Sequence, residues 1–282
     1  MLDAAQVDSF DIIPGSSIMA AVRQNSLLVY NIKRGVLICE QKYLQPVKAA
    51  KITLNDLFVL VDNDILCYTL SSMKLEKTLL FTEPISSMCA QQVQDKTLLV
   101  VGTTAGNVSL FNMESEIPLW SRKVHNSAVS LLELCSNGEH LASASNRGTI
   151  IRIISCIDGA ELKQLRRGLS SVPLTCIHFD RSCRYLCTAG KSSTVHIFSL
   201  GDSHDKMAFA VDGGIRDVAC IHLSEQSAHS PKAVFLDDSL DESSYAINIL
   251  QDNTDNVSFH QYTFNQKTKQ CIEEKNSCFE KQ

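Results

Sequence analysis

Short apolar runs recur along the chain with a spacing too regular for chance and too wide for a single hairpin. The segments 26–30 (SLLVY), 64–68 (DILCY), 107–111 (NVSLF), 148–154 (GTIIRII) and 193–198 (STVHIF) end on Tyr30, Tyr68, Phe111, Ile154 and Phe198, 38 to 44 residues apart. That is the period of a propeller blade. Each run follows a still more apolar one, at 18–22, 57–61, 98–101, 141–145 and 185–189, with polar or glycine-containing turns between. A further strand precedes each pair and another follows it, as at 131–135 and 162–166. Asn137-Gly138 and Asp158-Gly159 mark hairpin turns, and no amphipathic helical period interrupts the pattern. The prediction is an all-β fold, a β-propeller of WD40-like blades with six recognisable four-stranded units in one domain over residues 1–282. The blades are expected at about 8–44, 46–82, 84–124, 127–168, 172–213 and 215–276, with a polar loop insertion at about 225–244. A pair of β-sandwiches also uses short strands and turns, but its strands would not return near every 43 residues. The Trp-Asp blade signature is absent, the one tryptophan being Trp120.

Composition narrows the picture. A chain of 282 residues with 44% hydrophobic content buries roughly 75% of its unfolded surface and needs no staples. No stretch reaches the roughly 18 uninterrupted apolar residues of a membrane-spanning helix, and the first ten residues, MLDAAQVDSF, do not resemble a secretory signal. The cytosol is the expected compartment. The 11 cysteines are odd in number, irregularly spaced and set in apolar runs, so they read as small buried hydrophobes rather than a disulfide framework. Cys183 and Cys187 lack a second pair at zinc-ligand spacing, and His178 and His196 follow no finger pattern, so neither metal nor cofactor is expected. A net charge of -5 argues against a nucleic-acid partner, which requires a broad basic footprint. No HExxH, Gly-x-Ser-x-Gly, P-loop or dinucleotide fingerprint occurs, and Asp237-Asp238 and Glu273-Glu274 read as solvated charge, so the chain does not read as an enzyme.

The segment that carries chemistry is 165–168 (LRRG) on the last strand of the fourth unit. Strand side chains alternate, so Arg166 and Arg167 are predicted to point into opposite gaps, where each planar guanidinium can donate paired hydrogen bonds to phosphate oxygens. An isolated RRG tripeptide is more often an outer-strand pair making surface salt bridges. The order and spacing of the segments around it change that reading. The run 140–154 (HLASASNRGTIIRII), then 165–168, then 193–198, resembles the PROPPIN family, WD-repeat proteins interacting with phosphoinositides. The likeness extends from about Asp8 to the C-terminus and is most specific from His125 to Leu200.

The resemblance implies a seven-bladed propeller with two phosphoinositide pockets at its rim, ligands phosphatidylinositol 3-phosphate and phosphatidylinositol 3,5-bisphosphate, and a part in autophagosome formation. Carried over residue by residue, the first pocket takes His125, Ser143, Ser145, Thr149 and Arg166, and the second Arg167, Thr194 and His196. Ala189 and Gly190 stand where the family commonly has small hydroxyl residues, which implies weaker binding in the second pocket. Partners implied are the two lipids in membranes and autophagy proteins of the lipid-transfer or conjugation machinery. The implied location is cytoplasmic, with peripheral recruitment to preautophagosomal or endosomal/vacuolar membranes. Counting back from the arginines, the family's first blade has no counterpart, so either six blades close the ring or the chain is incomplete. Only residues 201–206 separate Leu200 from Met207 where the family has a long membrane-inserting loop, which implies weak insertion. The competing expectation is a propeller scaffold that joins proteins and has lost or weakened lipid binding.

Overall fold

The computed structural model describes residues 7–115, 117–201, 214–223, 231–236, 244–252 and 256–280. Its strands form six four-stranded antiparallel sheets, each a meander in chain order. The first sheet holds β1 (Ser9–Ile12), β2 (Ile18–Arg23), β3 (Ser26–Asn31) and β4 (Val36–Lys42), and the second β5 (Val47–Ile52), β6 (Asp56–Val61), β7 (Asp64–Thr69) and β8 (Lys74–Leu80). The third holds β9 (Ile85–Val93), β10 (Lys96–Thr103), β11 (Asn107–Asn112) and β12 (Trp120–Lys123), and the fourth β13 (Val129–Leu134), β14 (His140–Ser145), β15 (Ile150–Ser155) and β16 (Glu161–Arg166). The fifth holds β17 (Leu174–Phe179), β18 (Tyr185–Gly190), β19 (Ser192–Ser199) and β20 (Ala219–His222), and the sixth β21 (Lys232–Phe235), β22 (Ser244–Asp252), β23 (Asn256–Asn265) and β24 (Gln270–Glu280).

The unbroken apolar second strands follow from sheets stacked face to face. Side chains of a strand leave alternately to either side, and in β6 Leu57 and Val59 join the core shared with the first sheet while Phe58 and Leu60 join the core shared with the third. Four consecutive positions must therefore be apolar. The same division gives a core between third and fourth sheets, around Leu110, Leu132 and Leu141, and one between fourth and fifth, around Ile151, Ile177 and Phe198. A fifth core, around Val195, Ile247 and Phe264, joins the fifth and sixth sheets. First strands of successive sheets lie beside one another from β1 to β21, the inner-strand arrangement of a propeller. The cysteines are all free, six of them buried. Among the described residues no helix is long and apolar enough to cross a membrane.

The structure departs from the sequence reading in two places. Sequence spacing puts the last strand of the fifth unit directly after Lys206 and opens the sixth at Ile215. Instead β20 closes the fifth sheet, with Thr194 opposite His222 and His196 opposite Cys220. Its Ile221, together with Leu223 beyond it, buries against Val195 and Ile197. The connection from β19 thus runs over 200–218, of which 202–213 lie outside the described residues, and the short span 201–206 cannot argue for weak membrane insertion. Just before β20, Ile215 forms a parallel bridge to Leu165, its N–H donating to Gln164 O at 2.8 Å and its carbonyl accepting from Arg166 N at 2.8 Å. The second departure is β21, which lies within the span 225–244 read as a polar loop. Residues 224–230 and 237–243 of that neighbourhood lie outside the described residues.

Candidate functional site

The two arginines sit at the end of β16 in different surroundings. In β16, Leu165 is fully buried in the core shared with the fifth sheet, so its neighbour Arg166, opposite Ile150 on β15, leaves on the side of the third sheet. Gly214 lies against it, where an added Cβ would stand 3.0 Å from Arg166 Cβ. Arg167 follows immediately after the strand. Its backbone N–H donates to Thr149 O at 3.0 Å, and its side chain donates from Nε to Gly148 O at 3.0 Å and from Nη2 to Ser170 O at 2.6 Å. Burial pulls its pKa below the usual arginine value, yet it stays charged at neutral pH.

On Arg166's side, Ser143 of β14 stands opposite Arg152 of β15, and Arg152 opposite Gln164 of β16. Cross-strand partners share a face, so Ser143, Ser145, Arg152 and Arg166 line one gap. His125 enters that gap from the connection after β12, held by its N–H bond to Gly106 O at 3.0 Å, and its Nε2 pairs with Ser143 Oγ at 2.9 Å. His125 is 6% exposed and Ser143 0%. The pair therefore lies beneath the rim, whereas Thr149 and Arg166 are half-buried.

Burial first, and then the Arg152 charge, push the His125 pKa down to about 4. At neutral pH its ring is uncharged and acts by hydrogen bonding, leaving charge to the arginines. The linkage has a definite sign. Unfolded chains protonate this histidine below about pH 6.5, so between 6.5 and about 4 the unfolded state binds more protons and folding stability is lost on acidification, by about 3 kcal/mol at most. Urea unfolding across that range should show this slope in the native chain and not in His125→Gln; equal slopes would place the proton uptake elsewhere.

Arg152 was not among the residues the sequence singled out. It forms an ion pair with Glu161, and its Nε is buried without a hydrogen-bond partner among the described residues. The signal was available, since a charge inside the apolar run 148–154 must either be paired or have a ligand.

On the opposite side of the fourth sheet, Thr194 and His196 leave β19 on the same face as Phe198, whose ring stacks beside His196 and packs into the core shared with the fourth sheet. Their hydroxyl and imidazole meet, with Thr194 Oγ1 to His196 Nε2 at 3.2 Å and Ser192 Oγ to Thr194 Oγ1 at 3.0 Å. The other ring nitrogen, Nδ1, reaches Asp217 Oδ2 at 2.9 Å, and Cys220 stands opposite His196 on β20. Asp217 and Cys220 are further residues that the sequence reading missed. Among the described residues Arg167 bonds to Gly148 and Ser170 rather than to Thr194 or His196. Ala189 and Gly190 belong to β18 and add no hydroxyl to this gap.

Comparison with known proteins identifies the family and the fold. The chain is 29% identical over 201 residues to autophagy-related protein 21 of Schizosaccharomyces pombe, covering 66% of this chain and 59% of that protein. It is 27% identical over 188 residues to human WD repeat domain phosphoinositide-interacting protein 1, covering 65% of this chain and 42% of that protein. The chain thus spans roughly half the length of these relatives. Among solved structures, KlAtg21 in complex with the coiled-coil of AgAtg16 superposes with a TM-score of 0.78 at 20% identity, over 97% of this chain and 85% of that one. Kluyveromyces lactis Hsv2p gives 0.73 at 16% identity, over 96% and 86%. The PROPPIN family profile matches residues 11–208, and on that match the chain belongs to the PROPPIN family.

Proposed function

We propose that the chain is a non-enzymatic adaptor that binds phosphatidylinositol 3-phosphate, phosphatidylinositol 3,5-bisphosphate or both on membranes during autophagosome formation. What supports this reading is a pair of adjacent guanidiniums with different surroundings: Arg166 leaves β16 on the side of Ser143 and His125, and Arg167, just past the strand, bonds to Gly148 O and Ser170 O at the connection into the fifth sheet. Arg166 supplies charge beside Ser143, Ser145, Thr149 and the neutral His125; Arg167 supplies it on the side of Thr194 and His196. The names of the relatives, one autophagy-related and one phosphoinositide-interacting, support it. By the same reasoning the partners are the lipids and autophagy proteins, among which a coiled-coil segment is favoured by the Atg21–Atg16 complex. The protein is then cytoplasmic and recruited to the periphery of preautophagosomal or endosomal/vacuolar membranes.

A second reading keeps the propeller as a protein scaffold with little lipid affinity. The Asp217 carboxylate on His196 favours it, because a fixed anion in the second gap opposes phosphate. Co-sedimentation with liposomes containing either lipid, compared with uncharged liposomes, separates the two. Enrichment on the phosphoinositide liposomes is expected, and it should fall with salt; equal sedimentation with all three kinds would leave the scaffold.

A further inference from the structure

We propose that His196, Asp217 and Cys220 form a three-ligand site for a zinc-type divalent cation, whose fourth position is left for water or for a phosphate oxygen. Only that last option rests on the headgroup reading above.

No sequence spacing marks this site. His196 and Cys220 are brought together because they are register partners on β19 and β20, and Asp217 arrives from the segment that crosses the edge of the fourth sheet just before β20 begins. One ligand atom from each of the three lies within 4.8 Å of the other two. Tetrahedral zinc, with bonds of about 2.0–2.3 Å, sets its ligands roughly 3.3–3.8 Å apart. Closure therefore asks for movements on the order of 1 Å. One imidazole nitrogen, one carboxylate oxygen and one thiolate make a borderline-soft donor set suited to zinc and poorly suited to magnesium or calcium.

The outer groups are also in place. When Nε2–H donates to Thr194 Oγ1, itself 3.0 Å from Ser192 Oγ, the lone pair of Nδ1 is turned towards Asp217. This is how metal-binding histidines are commonly oriented. Burial, and then Asp217, push the Cys220 thiol up to about 11, so the metal-free site holds a thiol. Coordination breaks the S–H bond and releases that proton to solvent; His196 binds as the neutral ring and Asp217 as carboxylate, so two ligand charges offset the two of the cation. The electrostatic consequence is specific. Without metal, Asp217 makes the second gap hostile to an anion; with metal, the open position of the cation attracts one.

The test uses the full 282-residue chain, stripped by chelator and titrated with zinc by calorimetry, and with cobalt(II) by its thiolate charge-transfer absorption. One equivalent is expected to bind, with the absorption present in native protein and in Cys278→Ser, where an exposed cysteine is removed as a control. Cys220→Ser and Asp217→Asn should each weaken binding by at least about 100-fold, the upper end of what loss of an outer-shell partner costs, and Thr194→Val by about 10-fold. Circular dichroism checks that each variant is folded. Absence of binding in the native chain, or binding that survives both ligand substitutions in folded protein, overturns the proposal. Because these titrations contain no lipid, their failure leaves the headgroup reading standing. Conversely, native protein that binds zinc yet ignores every phosphoinositide liposome would sink that reading alone.

Discussion

Arg166→Thr combined with Arg167→Thr is expected to reduce binding to phosphatidylinositol 3-phosphate liposomes by about 100-fold or more while leaving the propeller folded. Each arginine offers a charge-assisted hydrogen bond worth about 1.5–3 kcal/mol to a phosphate oxygen, so losing both removes about 3–6 kcal/mol, and 1.4 kcal/mol is a factor of ten. Threonine suits a strand end, and it keeps the backbone bonds at this edge, from Arg166 N–H to Ile215 O and from Ile215 N–H to Gln164 O. At Arg167 the substitution removes the side-chain bonds to Gly148 and Ser170, and a native thermal transition is the check that the fold tolerates both changes. The single variants divide the effect. Arg166→Thr should act through the gap that holds Ser143 and His125, and Arg167→Thr through the one that holds Thr194 and His196. A double variant with a native thermal transition and undiminished sedimentation would end the lipid-binding proposal.

Much of this architecture is legible in the sequence because blade packing imposes a rule on single strands. A second strand packed into apolar cores on both sides has no polar face, so 57–61 and 98–101 are apolar throughout and their recurrence announces the period, while β14 carries buried Ser143 and Ser145 on one face. The direction of Arg166 is legible for the same reason, since alternation is a local property of a strand and Leu165 beside it is buried; Arg167 lies just past β16, where alternation no longer decides. The strands that escaped are those whose identity depends on a distant partner. β21 is four residues long and flanked by polar sequence, and only Ala233 and Phe235, packed with Ile247 and Ile249, make it a strand. β20 is no more apolar than the run 207–211 before it, and the choice between them rests on burial of Ile221 and Leu223 beside Val195 and Ile197. Asp217 and Cys220 were invisible for that same reason: their meeting with His196 is a consequence of the register of β20, and register cannot be read from either segment alone.

The largest loss of stability outside the hydrophobic cores is expected from Gly106→Ala. Gly106 and Gly148 occupy equivalent turns, between second and third strands of consecutive sheets, and each N–H donates to the carbonyl three residues earlier, in Thr103 and Ser145. Both adopt positive φ, +90° and +63°, but conformation is the smaller part of the argument. Each turn is pressed onto the segment entering the next sheet, so that a Cβ at Gly106 would lie 2.1 Å from His125 O and one at Gly148 would lie 2.0 Å from Val172 O. The obstacle is backbone in both cases and cannot rotate away. At Gly106 the strain falls on the pocket directly, because Gly106 O accepts the N–H bonds of Val124 and His125 at 3.0 Å, and these hold the ring that meets Ser143. The expected cost is about 2–4 kcal/mol, read as a lower urea midpoint, together with weaker liposome binding wherever the variant remains folded. Gly35→Ala provides the comparison, for its φ is +64° but nothing lies within 4 Å of the added methyl. Backbone strain alone then acts there, at about 1 kcal/mol. Equal losses in the two variants would mean that the turn at Gly106 can move away from His125, and that the first pocket is not held by the close approach described.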